Sequence, residues 1–299
     1  MKYVKYLDKL ESIEGKIFIV TGANSGLGYQ TTLDLAYKKA RVIMACRNVD
    51  KAQIAKEKIL SEVKDAKLEI YRYDQGNFNS IDKFVNDMNK NFDHIDGLVC
   101  NAGVYYPKAN YMTADGFELT FGTNYLGTYY LLKKINPLLE KSKAKVVIVT
   151  SLTGALSSRK TKIEDNEKLG RNKIYGFSKY CLSRLCYELD QKSENVEYYL
   201  THPGICQTNI ISSDQTGLPS FISKAGHYFL YVFVHHANKA CLTNLLALSS
   251  NEKDKKFIKP RGLFAISGLP IQKKFPKYAK KPIIEESENY LKEKARKLK

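Results

Sequence analysis

No apolar run in the 299-residue sequence approaches the roughly 20 residues that a helix needs to cross a bilayer. The segment Met1–Lys16 mixes charged and apolar residues and lacks the apolar core of a signal peptide. The six cysteines form no Cys-x-x-Cys pair, and the adjacent His235 and His236 would point to different faces of a helix, which makes a poor metal pair. We therefore expect a cytoplasmic protein with reduced, mostly buried thiols and no bound metal.

The sequence also lacks a concentrated basic element, although its formal net charge is +17. Lysines are spread along the chain and interleaved with acids, as in residues 51–67, a pattern typical of a solvated helix face. Only the C-terminal third is locally basic, and no nucleic-acid-binding motif is present. The charge pattern predicts no nucleic-acid partner and leaves peripheral contact with an anionic membrane surface open.

Strand-like and helix-like segments alternate along the chain, without an internal repeat or a low-complexity linker. Several strand-like runs are apolar without alternation, as expected for parallel strands that are covered on both faces. The pattern predicts an α/β fold: one Rossmann-type domain over residues 1–299, with a doubly wound, mostly parallel, seven-stranded sheet and helices on both faces. The predicted strands lie at residues 16–22, 41–46, 67–74, 95–103, 145–151, 196–204 and 262–267.

The helical segments include one long stretch over residues 116–139 and another over residues 174–191. After Gly204 the alternation changes, because residues 205–250 contain no obvious strand. We expect these residues to form a helical insert within the domain. A charged helix is predicted at the C-terminus, over residues 283–299.

The glycine-rich turn "TGANSGLG", Thr21–Gly28, follows the first predicted strand and opens the first helix. Its glycines, Gly22, Gly26 and Gly28, allow a tight turn, close approach of the backbone to a pyrophosphate, and close helix–strand packing. The turn lacks the Lys-Ser/Thr ending of a P-loop, which argues against an NTPase. The sequence therefore predicts a dinucleotide site here.

This turn and five motifs that follow it in order resemble the short-chain dehydrogenase/reductase family. The resemblance covers roughly residues 15–210. The later motifs are "NAG" at residues 101–103, Asn124 in "TNYLG", Ser151 in "IVTSLTG", Tyr175 and Lys179 in "YGFSK", and "HPGICQTN" at residues 202–209. Within the family, the chain looks most like the retinol dehydrogenase branch and is also similar to light-dependent protochlorophyllide reductases.

The resemblance implies four catalytic residues. Tyr175 would exchange a proton with the substrate oxygen, and the ammonium of Lys179, one helical turn on, would favour the phenolate. Ser151 would bind the substrate oxygen, and Asn124 would position a water linked to Lys179. Tyr-x-x-x-Lys occurs four times in the chain, but only Tyr175 follows a strand that ends in serine and precedes the "HPG" strand.

The end of the second strand bears on the choice of cofactor. An acidic residue at this position would favour NAD(H), whereas this chain has Arg47, whose guanidinium suits a 2′-phosphate. We therefore expect NADP(H) rather than NAD(H), with Asn48 as a helper. Asp74 matches the family's adenine contact, but Gln75 follows it where the family has an aliphatic residue. The further predicted cofactor contacts are Gly22, Asn24, Ser25, Gly26, Leu27, Gly28, Asn101, Ala102, Gly103, Tyr175, Lys179, Pro203, Gly204 and Thr208.

The resemblance implies an oxidoreductase that interconverts a carbonyl and an alcohol. The insert at residues 205–250 lies where the family places its substrate lid, and its apolar segment 218–236 favours a hydrophobic substrate. Ordinary core packing or a dimer face accounts for the same segment equally well, and the segment could also contact a membrane surface. A homodimer through the helices that carry Asn124 and Tyr175 is common in the family. The alternative function is a non-catalytic NADP(H)-binding sensor or scaffold with the same fold.

Overall fold

The computed structural model describes residues 6–8, 10–105, 111–157, 160–204 and 237–297. Within these ranges, one eight-stranded sheet has the strand order β3-β2-β1-β4-β5-β6-β7-β8. All neighbouring strands are parallel except β7 and β8, which are antiparallel. The strands are β1 Ile17–Thr21, β2 Arg41–Cys46, β3 Lys67–Arg72, β4 Gly97–Cys100, β5 Lys145–Val149, β6 Glu197–Thr201, β7 Phe257–Pro260 and β8 Pro270–Lys273. The predicted α/β, doubly wound fold is confirmed, with eight strands rather than seven.

The prediction of a strand at residues 262–267 is wrong. Leu263–Ala265 form a 3-10 turn in the connection between β7 and β8. The connection is closed by backbone hydrogen bonds from Arg261 to the carbonyl of Leu269 and from Gly262 to that of Ser267. The seventh strand therefore lies earlier, at Phe257–Pro260, and the eighth returns antiparallel to it.

The helices connect the strands and cover both faces of the sheet. The helical stretch predicted over residues 116–139 begins at Leu119, passes through a π-helical turn at Gly122–Leu126, and ends at Glu140. The α-helices are α1 Gly26–Tyr37, α2 Val49–Glu62, α3 Phe78–Asn91, α4 Leu119–Phe121, α5 Gly127–Glu140, α6 Leu152–Ala155, α7 Arg171–Lys192, α8 Ala237–Ala240, α9 Leu242–Ser249 and α10 Ile284–Lys297.

Two apolar cores lie on the two faces of the sheet. Ile19 and its neighbours on one face pack with aromatic residues of α3, α5 and α7, such as Phe84 and Phe177. Val20 and its neighbours on the other face pack with aliphatic residues of α1, α2 and α9, such as Leu35. The strands are apolar on both faces because both are covered, which is why their sequences do not alternate.

The C-terminal helix α10 packs against α7 and α5. The carboxylate of Glu188 on α7 accepts hydrogen bonds from the backbone N–H groups of Ile283 and Ile284, at the start of α10. Ser287 of α10 is hydrogen-bonded to the hydroxyl of Tyr125, in the segment that leads into α5. The helix thereby covers part of the surface of the two helical segments that carry Tyr175 and Asn124.

No helix in the described ranges has both the length and the apolar character needed to cross a membrane. The described cysteines are buried, and none of them forms a disulfide bond. Residues 205–236, which include most of the predicted insert and its apolar segment 218–236, lie outside the described residues.

Candidate active site

The carboxyl ends of four neighbouring parallel strands bring the predicted site together at one edge of the sheet. The glycine turn follows β1, the segment Asn101–Gly103 follows β4, Ser151 follows β5, and Pro203–Gly204 follow β6. Because β1 and β4 are neighbours where the strand order changes direction, their loops flank the crevice in which doubly wound folds bind ligands.

The glycine turn is closed so tightly that Gly28 has no room for a side chain. Gly22 and Gly26 have positive φ angles, of 68° and 54°. A Cβ atom added to Gly28 would lie 2.2 Å from the carbonyl oxygen of Gly22. Helix α1 starts at Gly26, and Ser25 precedes it in an extended conformation. The turn therefore presents bare backbone and a helix N-terminus, which suits the negative charge of a pyrophosphate.

Thr21 joins the glycine turn to the segment after β4. Its hydroxyl accepts hydrogen bonds from the backbone N–H groups of Asn101, at 3.0 Å, and Ala102, at 2.9 Å, and it donates to the carbonyl of Val99 at 3.2 Å. The side-chain amide of Asn101 donates to the carbonyl of Thr21 at 2.9 Å. This role of Thr21 is not predictable from the sequence, where the only signal is a hydroxyl residue between the strand and the first glycine.

The end of β2 lies beside the glycine turn, because the N–H of Gly22 donates to the carbonyl of Ala45 at 2.8 Å. Arg47 follows β2 and is exposed, and no carboxylate of the described residues pairs with it. The side-chain oxygen of Asn48 accepts a hydrogen bond from the N–H of Lys51 at 2.8 Å and so caps α2. The Asn48 oxygen is therefore occupied by the helix cap, whereas the guanidinium of Arg47 is exposed beside the turn.

The loop after β3 has a compact backbone. The carboxylate of Asp74 accepts a hydrogen bond from the N–H of Gly76 at 3.0 Å, and the N–H of Asp74 donates to the hydroxyl of Ser80 at 3.0 Å. The side chain of Gln75 is buried, and its amide is hydrogen-bonded within the protein to the carbonyls of Ala102 and Thr123. Any contact between Gln75 and an adenine must therefore be made by the backbone.

Asn124 lies within the π-helical turn. Its side-chain oxygen accepts from the N–H of Val104 at 2.7 Å, and its amide donates to the carbonyl of Val104 at 2.9 Å and to the hydroxyl of Ser178 at 3.2 Å. That hydroxyl donates to the carbonyl of Tyr175 at 2.7 Å. Asn124 thus links the segment after β4 to the turn of α7 that carries Tyr175. Single-turn π bulges of this kind frequently occur at functional sites.

Lys179 lies one turn after Tyr175 and is 5% exposed. Its ammonium donates to the carbonyl of Val149 at 3.0 Å and lies 5.9 Å from the centre of the Tyr175 ring. Burial lowers the pKa of Lys179 from 10.5 to about 8, and the nearby thiol of Cys100 opposes this shift. The ring of Tyr105 packs edge-on against that of Tyr175, with centroids 5.3 Å apart.

Proximity alone does not distinguish this pair from the other Tyr-x-x-x-Lys pairs. In the C-terminal helix, the ammonium of Lys294 also lies 5.9 Å from the centre of the Tyr290 ring. Lys294, however, pairs with the carboxylate of Glu167, and neither of the other two lysines of this spacing is buried. Lys179 differs because it is buried at the carboxyl edge of the sheet.

Ser151 directly follows Thr150 after β5 and caps the short helix α6. Its hydroxyl oxygen accepts hydrogen bonds from the N–H of Thr153, at 3.4 Å, and from the Thr153 hydroxyl, at 3.0 Å. Helix α6 packs closely on α7, because a Cβ atom added to Gly154 would lie 2.9 Å from the backbone carbon of Lys179. Ser151 therefore lies at the same edge of the sheet as Lys179.

Beyond β6, Gly204 has a φ angle of 84°, and a Cβ atom added to it would lie 2.4 Å from the carbonyl oxygen of Ile266. The preceding His202 is buried, and burial lowers its pKa to about 4, so it is neutral near pH 7. These features suit a packing role for His202. Thr208, the predicted nicotinamide contact, lies outside the described residues.

We expect Gly28→Ala to weaken the binding of NADP⁺ by at least about 10²-fold, because the new methyl group must displace the backbone of Gly22. The matched control is Gly170→Ala, since an added Cβ there meets nothing within 4 Å and the φ angle is −61°. Isothermal titration calorimetry of both variants gives the comparison. Unchanged binding by the Gly28 variant would contradict the assignment of the turn to the pyrophosphate.

Comparison with known proteins identifies the family. The family model described as short chain dehydrogenase matches residues 16–218. The chain is 34% identical to retinol dehydrogenase 13 of Mus musculus over 207 residues, which is 67% of this chain and 61% of that protein. It is 32% identical to retinol dehydrogenase 11 of Mus musculus over 247 residues, or 78% of this chain and 73% of that protein. The chain thus spans about three fifths of the length of the first of these relatives.

The fold is also found among solved structures. An uncharacterised protein from Mycobacterium Paratuberculosis superposes with a TM-score of 0.72 and 24% identity, covering 96% of this chain and 97% of that one. The strand order, the strand-end loops and the matched family model agree. The chain belongs to the short-chain dehydrogenase family, in its retinol dehydrogenase-like branch.

Proposed function

We propose that this protein is an NADP(H)-dependent oxidoreductase that interconverts a carbonyl and an alcohol on a hydrophobic small molecule. Tyr175 exchanges the proton with the substrate oxygen. The observation that carries the proposal is the convergence of Tyr175, the buried Lys179 and Asn124 at the edge of the sheet that also carries the glycine turn. Membership of the family supports the reaction class.

The residues present fit a nicotinamide dinucleotide. Gly28, in the first turn of α1, has no room for a side chain, and the backbone of the glycine turn would hold the pyrophosphate. Arg47 would hold the 2′-phosphate, and the backbone at Asp74 and Gln75 would hold the adenine. Asn101–Gly103 would hold the ribose on the nicotinamide side, and Pro203–Gly204 would hold the nicotinamide. When bound, the cofactor supplies or accepts the hydride.

The protein's own residues handle the proton. During reduction, Tyr175 donates a proton to the substrate oxygen as that oxygen gains electron density, and the hydroxyl of Ser151 donates a hydrogen bond to the same oxygen. The ammonium of Lys179 stabilises the phenolate that forms. Asn124 holds the segment after β4 against α7 and positions the water through which Lys179 is reprotonated. In the oxidative direction each proton moves the opposite way.

The substrate is expected to be hydrophobic, because an aromatic ring packs on Tyr175 and exposed apolar side chains follow the ends of β4 and β5 in the sequence. The ring of Tyr105 packs against that of Tyr175, and the side chains of Tyr111 and Met112 are exposed. Leu156, five residues after Ser151, is 81% exposed. Exposed apolar groups beside a crevice suit an apolar ligand. The retinol dehydrogenase names of the relatives support this class of substrate.

Three earlier expectations stay predictions. The apolar segment 218–236, with its roles as substrate lid, dimer face or membrane contact, lies outside the described residues. A homodimer through α5 and α7 must use surface that α10 leaves uncovered. Cytoplasmic localisation is the third.

The alternative function, a sensor or scaffold that binds NADP(H) without turnover, would need the glycine turn and Arg47 but not a proton donor. The linked contacts of Asn124, Ser178, Tyr175 and Lys179 favour the enzyme. Substitution of Tyr175 separates the two functions.

We expect Tyr175→Phe to lower the rate of NADPH oxidation by about 10²–10⁴-fold, because the proton donor is lost. Binding of NADP⁺ should change by less than about threefold, since the ring is retained. Wild type and variant are screened on hydrophobic aldehydes and ketones. Tyr290→Phe is the matched control, because Tyr290 has the same spacing and the same distance to its lysine. Equal activity of wild type and the Tyr175 variant would refute the proposed donor.

Arg47→Ala should raise the KM for NADPH by about 10–100-fold, the loss expected for a charge-assisted hydrogen bond of about 1.5–3 kcal/mol. The KM for NADH should stay within about threefold, because NADH has no 2′-phosphate. Arg296→Ala makes the same change in net charge on the exposed part of α10 and should alter neither constant. Equal effects of Arg47→Ala on the two cofactors would contradict the assignment.

The rate of carbonyl reduction should fall as the pH rises through about 8. The pKa of Lys179 is lowered to about 8, so the lysine is protonated below that pH and loses its proton above it. Without the ammonium, the phenolate of Tyr175 is less stabilised and the proton relay is not replenished. The measurement is kcat/KM from pH 6 to 10 under initial-rate conditions. A profile that stays flat up to pH 10 would argue against a role for Lys179 in the proton transfer.

A further inference from the structure

We propose that the side chain of Gln75 is a positioning residue that holds Asn124 and the segment after β4 in their active arrangement. The inference deepens the proposed oxidoreductase function and rests on it. Gln75 lies in the loop that the sequence predicts beside the adenine, but its side chain is buried inside the protein. The side chain therefore contacts the segments next to Asn124 rather than the adenine.

Gln75 is 3% exposed, and its amide nitrogen is close to three acceptors. The nitrogen lies 2.7 Å from the carbonyl oxygen of Thr123, 3.0 Å from that of Ala102 and 3.2 Å from the hydroxyl of Thr128. The amide oxygen accepts from the hydroxyl of Tyr73 at 3.2 Å. A single side chain therefore joins the loop after β3, the segment after β4 and the π-helical turn.

The chemistry at this position requires an amide. The three neighbours of the nitrogen are all acceptors, so a carboxylate would meet them with repulsion. An aliphatic side chain, which the family resemblance leads one to expect here, would leave the backbone carbonyls of Ala102 and Thr123 without this donor. Room for Gln75 comes from Gly127, where an added Cβ atom would lie 2.0 Å from the Gln75 carbonyl oxygen and 2.8 Å from its Cγ.

Both ends of this connection reach Asn124. On one side, the hydroxyl of Thr128 donates to the carbonyl of Asn124 at 2.8 Å, and Thr123 is the residue before Asn124. On the other side, Ala102 leads into Gly103, where an added Cβ atom would lie 3.1 Å from the side-chain oxygen of Asn124 and 3.7 Å from the ammonium of Lys179. A shift of the Gln75 side chain therefore changes the spacing between Asn124, Gly103 and Lys179.

The test compares Gln75→Met, which keeps the length of the side chain and removes the donor, with Thr128→Val. The control is Thr120→Val, because Thr120 is buried on the same helical stretch and its hydroxyl has no hydrogen-bond partner among the described residues. We expect kcat to fall by about 10–100-fold in Gln75→Met and less in Thr128→Val, since small displacements at a catalytic centre have effects of this size. Binding of NADP⁺ should change by less than about threefold.

The double variant gives a second readout. If Gln75 and Thr128 act through the same connection, the combined loss of kcat is smaller than the product of the two single losses. The positioning role is overturned if the loss in the double variant equals the product of the two single losses. It is also overturned if Thr120→Val lowers kcat as much as Gln75→Met does. If Gln75→Met does not fold, the same measurements of kcat and NADP⁺ binding on Thr128→Val test the positioning role.

Hydrogen exchange at the N–H of Val104 tests the inference without turnover. This group donates to the side chain of Asn124, so its exchange should accelerate at least about tenfold in Gln75→Met and remain unchanged in Thr120→Val. A wild-type protein that reduces no substrate refutes the proposed function, while accelerated exchange still supports the connection through Gln75. Unchanged exchange in Gln75→Met refutes the inference whatever the activity.

Discussion

The hydrogen bond from the ammonium of Lys179 to the carbonyl of Val149 is the interaction on which the site depends. A buried ammonium is unfavourable unless it is hydrogen-bonded, and this bond ties the middle of α7 to the end of β5. The hydroxyl of Thr150 adds a second tie, at 3.0 Å from the carbonyl of Lys179. With the helix fixed in this way, Tyr175 necessarily lies one turn earlier, at the edge where the strands end.

The same edge gathers the cofactor loops, because parallel strands all end there. Close packing at Gly28 and the hydroxyl of Thr21 bring the turn after β1 onto the segment after β4. Asn124 then joins that segment to α7 through Val104 and Ser178. Hydrogen bonds between loops therefore align the groups that would hold the dinucleotide with those proposed to transfer the proton.

Features that depend on a few neighbouring residues could be predicted from the sequence, whereas those that depend on distant contacts could not. The glycine turn and the parallel strands were predictable because glycine spacing and unbroken apolar runs are local signals. The strand predicted at residues 262–267 was wrong because the apolar pattern there belongs to a loop closed by the backbone of Gly262. The π-helical turn, and Gln75 beneath it, depend on groups about 50 residues apart in the chain, as in the bond from Gln75 to Thr123.

The most direct test of the proposed site is a crystal structure of the protein with NADP⁺ bound. In the proposed arrangement, the pyrophosphate lies at the N-terminus of α1, the 2′-phosphate on Arg47, and the nicotinamide between Tyr175 and Gly204. A dinucleotide bound elsewhere, or one whose nicotinamide lies away from Tyr175, would contradict it.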